Sequence, residues 1–125
     1  MKLVDSCGWL HVFKNTTLAN TYRNILQQTE SEILVPTIVI YEVSKVLKRD
    51  AGESVAMACT LRMQQANVAG LTDVLALEAA DISVEHGLAM ADAIIYATAQ
   101  RHNAALYTSD ADLKEFPGVQ FIPIP

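Results

Sequence analysis

The sequence predicts an α/β domain in three layers, with a central, mostly parallel sheet flanked by helices. Short apolar runs of strand length alternate along the chain with longer stretches of helical spacing, the pattern of parallel strands joined through crossover helices. Acids follow two of the strand-like runs, Asp5 and Asp110, and a third, Asp92, stands in the first turn of a helix. In α/β sheets the carboxyl ends of strands and the amino ends of helices share the edge at which ligands bind. The chain has 125 residues, 51% of them hydrophobic and only 6% aromatic, which suits Ala-, Val-, Leu- and Ile-rich helices packing on a sheet. A chain of this length buries about two-thirds of its unfolded surface, so residues 1–125 are read as a single domain.

Lys2-Leu3-Val4-Asp5 reads as a central strand ending in an acid, and Ser6-Cys7-Gly8 as the turn into a short helix from Trp9 to Phe13. Leu18, Tyr22, Ile25 and Leu26 have helical spacing within a helix expected from Thr17 to Gln28, a cover for the sheet. Ile33-Leu34-Val35 is an edge strand stopped by Pro36. Thr37 is then the N-cap of a helix through Arg49, with Val39, Val43, Val46 and Leu47 on its core face. A helix over Glu53 to Gln65 carries Val55, Ala58, Cys59 and Met63. Val68 with Gly70-Leu71-Thr72 makes a weak strand. A helix from Asp73 to His86 follows, with Leu77, Ala80, Ile82 and Val84, and Gly87 ends it as a C-cap. Met90 to Arg101 is an almost wholly apolar, Ala-rich helix containing Ile94 and Ile95, and the strand Ala105 to Thr108 delivers Asp110. Val119 to Ile122 closes the fold before Pro123, and no linker, repeat or low-complexity segment divides the chain.

Cys7 and Cys59 are too few for a disulfide framework and lack metal-ligand spacing, so they read as small buried hydrophobes in a reducing compartment. No apolar signal core precedes Asp5, and no apolar run approaches the roughly 18 residues needed to span a bilayer, so a cytoplasmic protein without membrane contact is expected. The net charge of −5 weakly opposes a broad basic surface for nucleic acid. Four carboxylates in one site would account for most of that excess, leaving Lys45, Lys48, Arg49, Arg62, Arg101 and Lys114 for phosphate, although most of these read as solvated helix faces. His86 complements a helix C-terminus, and His11 and His102 have no ligand partner at useful spacing, so all three read as structural.

Each acid also has a plain reading. Asp92 suits the positive end of a helix dipole, Asp110 a turn or N-cap, and Asp5 a turn. Glu42 shares a ridge with Ile38, Lys45 and Arg49, and pairing with Lys45 is worth only about 0.2–0.5 kcal/mol. Their joint placement favours a site. The parallel sheet brings Asp5, Asp92 and Asp110 to one edge, and Glu42, one turn into the helix after the second strand, leans over it. A carboxylate closing the first strand beside a hydroxyl, Ser6, is a frequent metal or phosphoryl arrangement. Four carboxylates about 5 Å apart in an effective dielectric near 20 repel by roughly 3 kcal/mol per pair, so the cluster calls for a cation. Hard oxygen donors without His or Cys favour Mg²⁺ or Mn²⁺, which keep several waters and accept phosphate oxygens.

On these residues the chain resembles PIN-domain proteins, and among them the VapC-type toxins of bacterial and archaeal toxin–antitoxin pairs, over essentially its whole length. The resemblance rests on V-D-S at Asp5, P-T-I-V-I-Y-E-V at Glu42, L-A-M-A-D-A-I-I-Y-A-T-A at Asp92 and L-Y-T-S-D-A-D-L at Asp110. Each motif is loose alone; four in this order at these spacings are specific. The resemblance implies a PIN-like fold in which Asp5, Glu42 and Asp92 are metal-site acids, Asp110 is the fourth, and Ser6 and Thr108 are hydroxyls lining the site. Some members place the fourth acid at the position of Asp112.

It further implies a Mg²⁺- or Mn²⁺-dependent endoribonuclease that cuts single-stranded or looped RNA. Asp5, Asp92 and Asp110 would bind the ion, with Glu42 either ligating it or orienting the attacking water. The family also implies a homodimer and inhibition by a cognate VapB-like antitoxin, whose partly disordered, basic-tipped segment would fold into a groove beside Glu42. The high apolar content implies uncovered helix surface, expected on the helix from Thr17 and on those from Thr37 to Met63.

Two other classes share parts of this pattern. A phosphate-accepting receiver domain has the same size and sheet but needs a paired acid after its first strand and a Lys after its last; here Ser6 follows Asp5, and no Lys follows the closing strand. A silent PIN scaffold would be expected to lack one or more of the acids, and all four are present.

Overall fold

Five short strands, β1 (Lys2–Val4), β2 (Ile33–Pro36), β3 (Asn67–Ala69), β4 (Ala105–Thr108) and β5 (Val119–Phe121), pair in parallel in the order β3-β2-β1-β4-β5. This computed structural model describes residues 1–27 and 30–125; Gln28, the expected end of the second helix, and the side chain of Ser31 lie outside the described residues. Leu3 stands opposite Leu34 on one side and Leu106 on the other, and all three are buried, so the apolar runs meet at the sheet centre.

The helices α1 (Ser6–Lys14), α2 (Ala19–Leu26), α3 (Thr37–Ala51), α4 (Glu53–Gln64), α5 (Asp73–His86) and α6 (Met90–Arg101) pack as the pairs α1 with α2, α3 with α4, and α5 with α6. Val39, Val43 and Leu47 turn one face of α3 inward, at the i, i+4, i+8 spacing of a core stripe. α6 is buried from Ala93 to Ala99, as its small side chains require when a helix is enclosed on several sides. None of the described helices is long and apolar enough to cross a membrane.

Several expectations are corrected by packing. The first helix starts at Ser6 rather than Trp9, because Asp5 caps it directly, and Gly8 lies inside the helix. A Cβ on Gly8 would stand 2.5 Å from both the Tyr22 ring and a Val4 methyl, so the missing side chain serves close contact rather than a turn. β2 is an interior strand, not an edge, since β3 pairs beyond it at Asn67–Ala69, which keeps the expected Val68 but ends before Gly70. Pro36, not Thr37, occupies the cap position of α3, and no side chain caps it. On α5 the buried residues are Leu75 and Ala79, while Leu77 and Val84 are exposed; both faces carry apolar residues, and packing against α6 selects one. On α4 likewise Ala56 and Met63 are buried and Val55 is exposed. The two cysteines are half-buried rather than buried.

Asp92 reaches the strand ends through a chain reversal. As expected from sequence, α6 precedes β4, and the chain reverses between them around Asn103, which adopts the left-handed conformation at φ 52°. The amino end of the helix and the carboxyl end of the strand therefore fall on the same side.

Candidate metal centre

The acidic site forms where β1 and β4 end side by side. Val4 pairs with Tyr107, and the Asp5 amide donates to the Tyr107 carbonyl at 3.0 Å, so Asp5 and Thr108 leave the sheet together. Asp5 is only 4% exposed. Its Oδ1 accepts the Ser6 amide at 2.8 Å, capping α1, and its Oδ2 accepts the Thr108 hydroxyl at 2.6 Å. Burial pushes the Asp5 carboxyl above its usual pKa, with the Thr108 and Ser6 donors opposing and the charge of Asp110 adding.

Thr108 is fully buried and serves twice, since its hydroxyl oxygen also accepts the Asp110 amide at 3.0 Å. Asp110 in turn caps the short 3-10 turn Ala111–Leu113, with Oδ1 accepting the Asp112 amide at 2.9 Å. This Asx-type geometry turns the Asp112 backbone back toward the strand end. Asp92, in the first turn of α6, completes a trio: one carboxylate oxygen each from Asp92, Asp110 and Asp112 lies within 4.8 Å of the others. Burial pushes the Asp92 carboxyl up to about 7, and the neighbouring charges of Asp110, Asp5 and Asp112 add to the shift.

Glu42 comes from the second turn of α3 and is partly buried. Burial raises its carboxyl, the Ser6 hydroxyl and Lys45 oppose that, and the charges of Asp5 and Asp110 reinforce it. Its Oε1 is buried and has no hydrogen-bond partner among the described residues. An oxygen-only donor set, carboxylates that raise one another's pKa, and an orphaned buried carboxylate oxygen together fit a hard divalent cation.

The structure thus links the acids by charge, Asp5, Glu42 and Asp92 each to Asp110, Asp5 to Glu42 and Asp92, and Asp112 to Asp92, with Ser6 and Thr108 hydrogen-bonded at Asp5. The tightest group among the described residues is Asp92, Asp110 and Asp112; Asp5 and Glu42 face it through charge. Cys7, read from sequence as a core hydrophobe, borders the site: burial raises its thiol pKa and the charge of Asp5 adds. Its Sγ lies 3.9 Å from the Tyr22 hydroxyl, fifteen positions away, a separation at which no local pattern signals contact.

The arrangement is that of a small α/β protein with an acidic, oxygen-only centre at the carboxyl edge of a parallel sheet. The chain belongs to the PIN domain family, whose model matches residues 2–119. No curated protein matches it by sequence. Its fold is similar to that of a toxin–antitoxin complex from Klebsiella pneumoniae, at 22% identity and a TM-score of 0.85, covering 99% of this chain and 100% of that one. It is also similar to Mycobacterium tuberculosis VapC20, described as a sarcin–ricin loop cleaving toxin, at 18% identity and a TM-score of 0.81, covering 99% and 98%. A third similar structure is VapBC2 from Rickettsia felis bound to a promoter DNA fragment, at 14% identity and a TM-score of 0.77, covering 98% and 97%.

Proposed function

We propose that this chain is a VapC-type toxin: a Mg²⁺- or Mn²⁺-dependent endoribonuclease that acts in the cytoplasm as a homodimer and is neutralised by a VapB-like antitoxin. The observation that carries the reading is the buried, unpartnered Oε1 of Glu42 within a cluster of four aspartates. The similar folds described as toxins or toxin–antitoxin complexes support the biological setting.

Asp5, Asp92 and Asp110 would hold the ion, with Asp112 beside them. When bound, a divalent cation lowers the pKa of a coordinated water and neutralises charge on a phosphate oxygen. The chain's own residues supply the geometry. Thr108 and Ser6 hold Asp5 in one orientation, and Asp110 is fixed through its amide. Glu42, with an oxygen free of partners among the described residues, can accept a hydrogen bond from the attacking water and take its proton. Lys45, close enough to pull the Glu42 carboxyl down, would meet a substrate phosphate.

Exposed apolar side chains on α3, α4 and α5 are available to partners. Met57 and Leu61 are exposed on one side of α4, within the region expected from sequence, with Tyr41 exposed on α3; Val74, Leu77 and Val84 are exposed along α5, and Leu71 before it lines a cleft of about 360 Å³ between α5 and α6. A second copy and an antitoxin segment would each cover such side chains. Purified chain is expected to be a dimer by light scattering and to cleave RNA until the product of the adjacent upstream reading frame is added in excess. A monomer at micromolar concentration would remove the dimer, and undiminished cleavage would remove that product as the antitoxin.

A further inference from the structure

We infer that Tyr22 is a positioning residue for the acidic centre: through Ser109 it fixes the loop that carries Asp110 and Asp112. The role rests on the reading of those acids as a metal centre. Tyr22, on α2, is fully buried, and its hydroxyl lies 2.6 Å from Ser109 Oγ, 87 positions along the chain. Ser109 stands between Thr108, which ends β4, and Asp110.

The ring that carries this hydroxyl has little freedom. Gly8 presses against its edge, since even a Cβ there would come within 2.5 Å of the ring. On its face the His11 ring stacks at 5.9 Å and 6°, and His11 Nδ1 is itself held 2.6 Å from Thr16 Oγ1. The hydroxyl therefore projects from a clamped position on α1 and α2 onto the loop after β4.

As plain cover for the sheet, Tyr22 would need only its ring. Burying a phenol hydroxyl is costly unless it is hydrogen-bonded, so a Phe would pack as well without that risk. The bond to Ser109 gives the hydroxyl its use. Two side-chain bonds around Asp110 are local, from the Asp110 amide to Thr108 and from the Asp112 amide to Asp110. Thr108 also joins the loop to Asp5 at the start of α1, and Asp110 meets Asp92 of α6, both within the acidic centre itself; the bond to Tyr22 adds an anchor on α2, outside that centre. Ligand oxygens must be held within about 0.5 Å to bind an ion well, and partners behind the ligands are worth about 10–100-fold in metal affinity.

The test compares Tyr22→Phe, Ser109→Ala and the double variant with the wild type. Two measurements are made: amide hydrogen exchange of the metal-free chains, and Mn²⁺ affinity by electron paramagnetic resonance. Expected are faster exchange at the Asp110 and Asp112 amides with core amides of α1 and α2 unchanged, and Mn²⁺ binding weakened about 10–100-fold. The double variant should be no weaker than the worse single variant, as a shared bond requires. Wild-type Mn²⁺ affinity in both single variants, unchanged exchange at the two amides, or losses that multiply in the double variant would each overturn the role of Tyr22 while leaving the metal centre standing. Failure of the wild-type chain itself to bind Mn²⁺ would overturn the metal reading, and this role with it.

Discussion

Thr108 donates its hydroxyl hydrogen to Oδ2 of Asp5 across 2.6 Å, joining the last residue of β4 to the acid that follows β1. The same hydroxyl oxygen accepts the Asp110 amide, so two of the site's acids take their positions from one side chain. β1 and β4 are neighbours in the sheet, and this bond carries their register into the site.

Replacing that hydroxyl by a methyl is therefore expected to act on stability and on the site together. Thr108→Val keeps the shape but leaves a buried Asp5 oxygen and the Asp110 amide unpaired, a loss of about 1–3 kcal/mol in denaturant unfolding. Thr108→Ser keeps the hydroxyl and should lose less, about the value of one buried methyl, near 1 kcal/mol. Equal losses in the two variants would mean that the hydroxyl contributes nothing beyond packing.

The pH dependence of the metal-free chain should run against the usual course of acid denaturation. The Asp92 carboxyl is raised from 3.8 to about 7 by burial and by its acidic neighbours, and those of Asp5 and Glu42 are raised as well. Between about pH 4 and 7 the folded chain then binds more protons at these groups than the unfolded chain does. Their contribution to stability is full at the acid end of that window and is lost as pH rises through it. In EDTA the Tm should be higher at about pH 5 than at about pH 8, which thermal melts in matched buffers would measure. A higher Tm at pH 8 would show that other groups dominate.

The strands at the sheet centre and all the acids were legible in the sequence because their signals are local. β1 and β4 are apolar runs that end at Asp5 and Thr108, and Asp92 sits at the start of an unbroken Ala-rich helix. Less could be read where the outcome depends on what packs from elsewhere. β2 looks like an edge until β3 pairs beyond it, and β3, with exposed Asn67 and Val68, carries almost no pattern of its own. α5 has apolar residues all round, so periodicity does not choose between Leu75 with Ala79 and Leu77 with Val84. The approach of Asp112 to Asp92 depends on the capping turn at Asp110, and the Tyr22–Ser109 bond joins segments with no sequence relation.

Asp110 and Asp112 should differ in weight. Asp110 is partly buried, is charge-coupled to Asp5, Glu42 and Asp92, and its Oδ1 holds the Asp112 amide, whereas Asp112 is exposed at the rim of the trio. Asp112→Asn is expected to reduce RNA cleavage about 10–100-fold, as for groups behind the ligands, and Asp110→Asn to reduce it further. The reverse ranking in a purified cleavage assay would move the fourth ligand to Asp112.

Neutralising the most strongly perturbed acid should separate stability from metal response. Asp92→Asn relieves repulsion from Asp110, Asp5 and Asp112, so the metal-free variant should melt at or above the wild type. Mn²⁺ at a hundred times its Kd should stabilise the wild type by about 2.7 kcal/mol and the variant far less. Unfolding of Asp92→Asn in EDTA would show that Asp92 serves the fold rather than a cation.

The most direct test of the account is cleavage of a fluorescently labelled, loop-containing RNA by the purified chain, run in Mn²⁺, in Mg²⁺ and in EDTA, with Asp92→Asn in parallel. The account predicts cleavage by the wild type with either ion, none in EDTA, recovery when the ion is restored, and none by Asp92→Asn under any condition. Cleavage that persists in EDTA, or equal cleavage by Asp92→Asn, would contradict it.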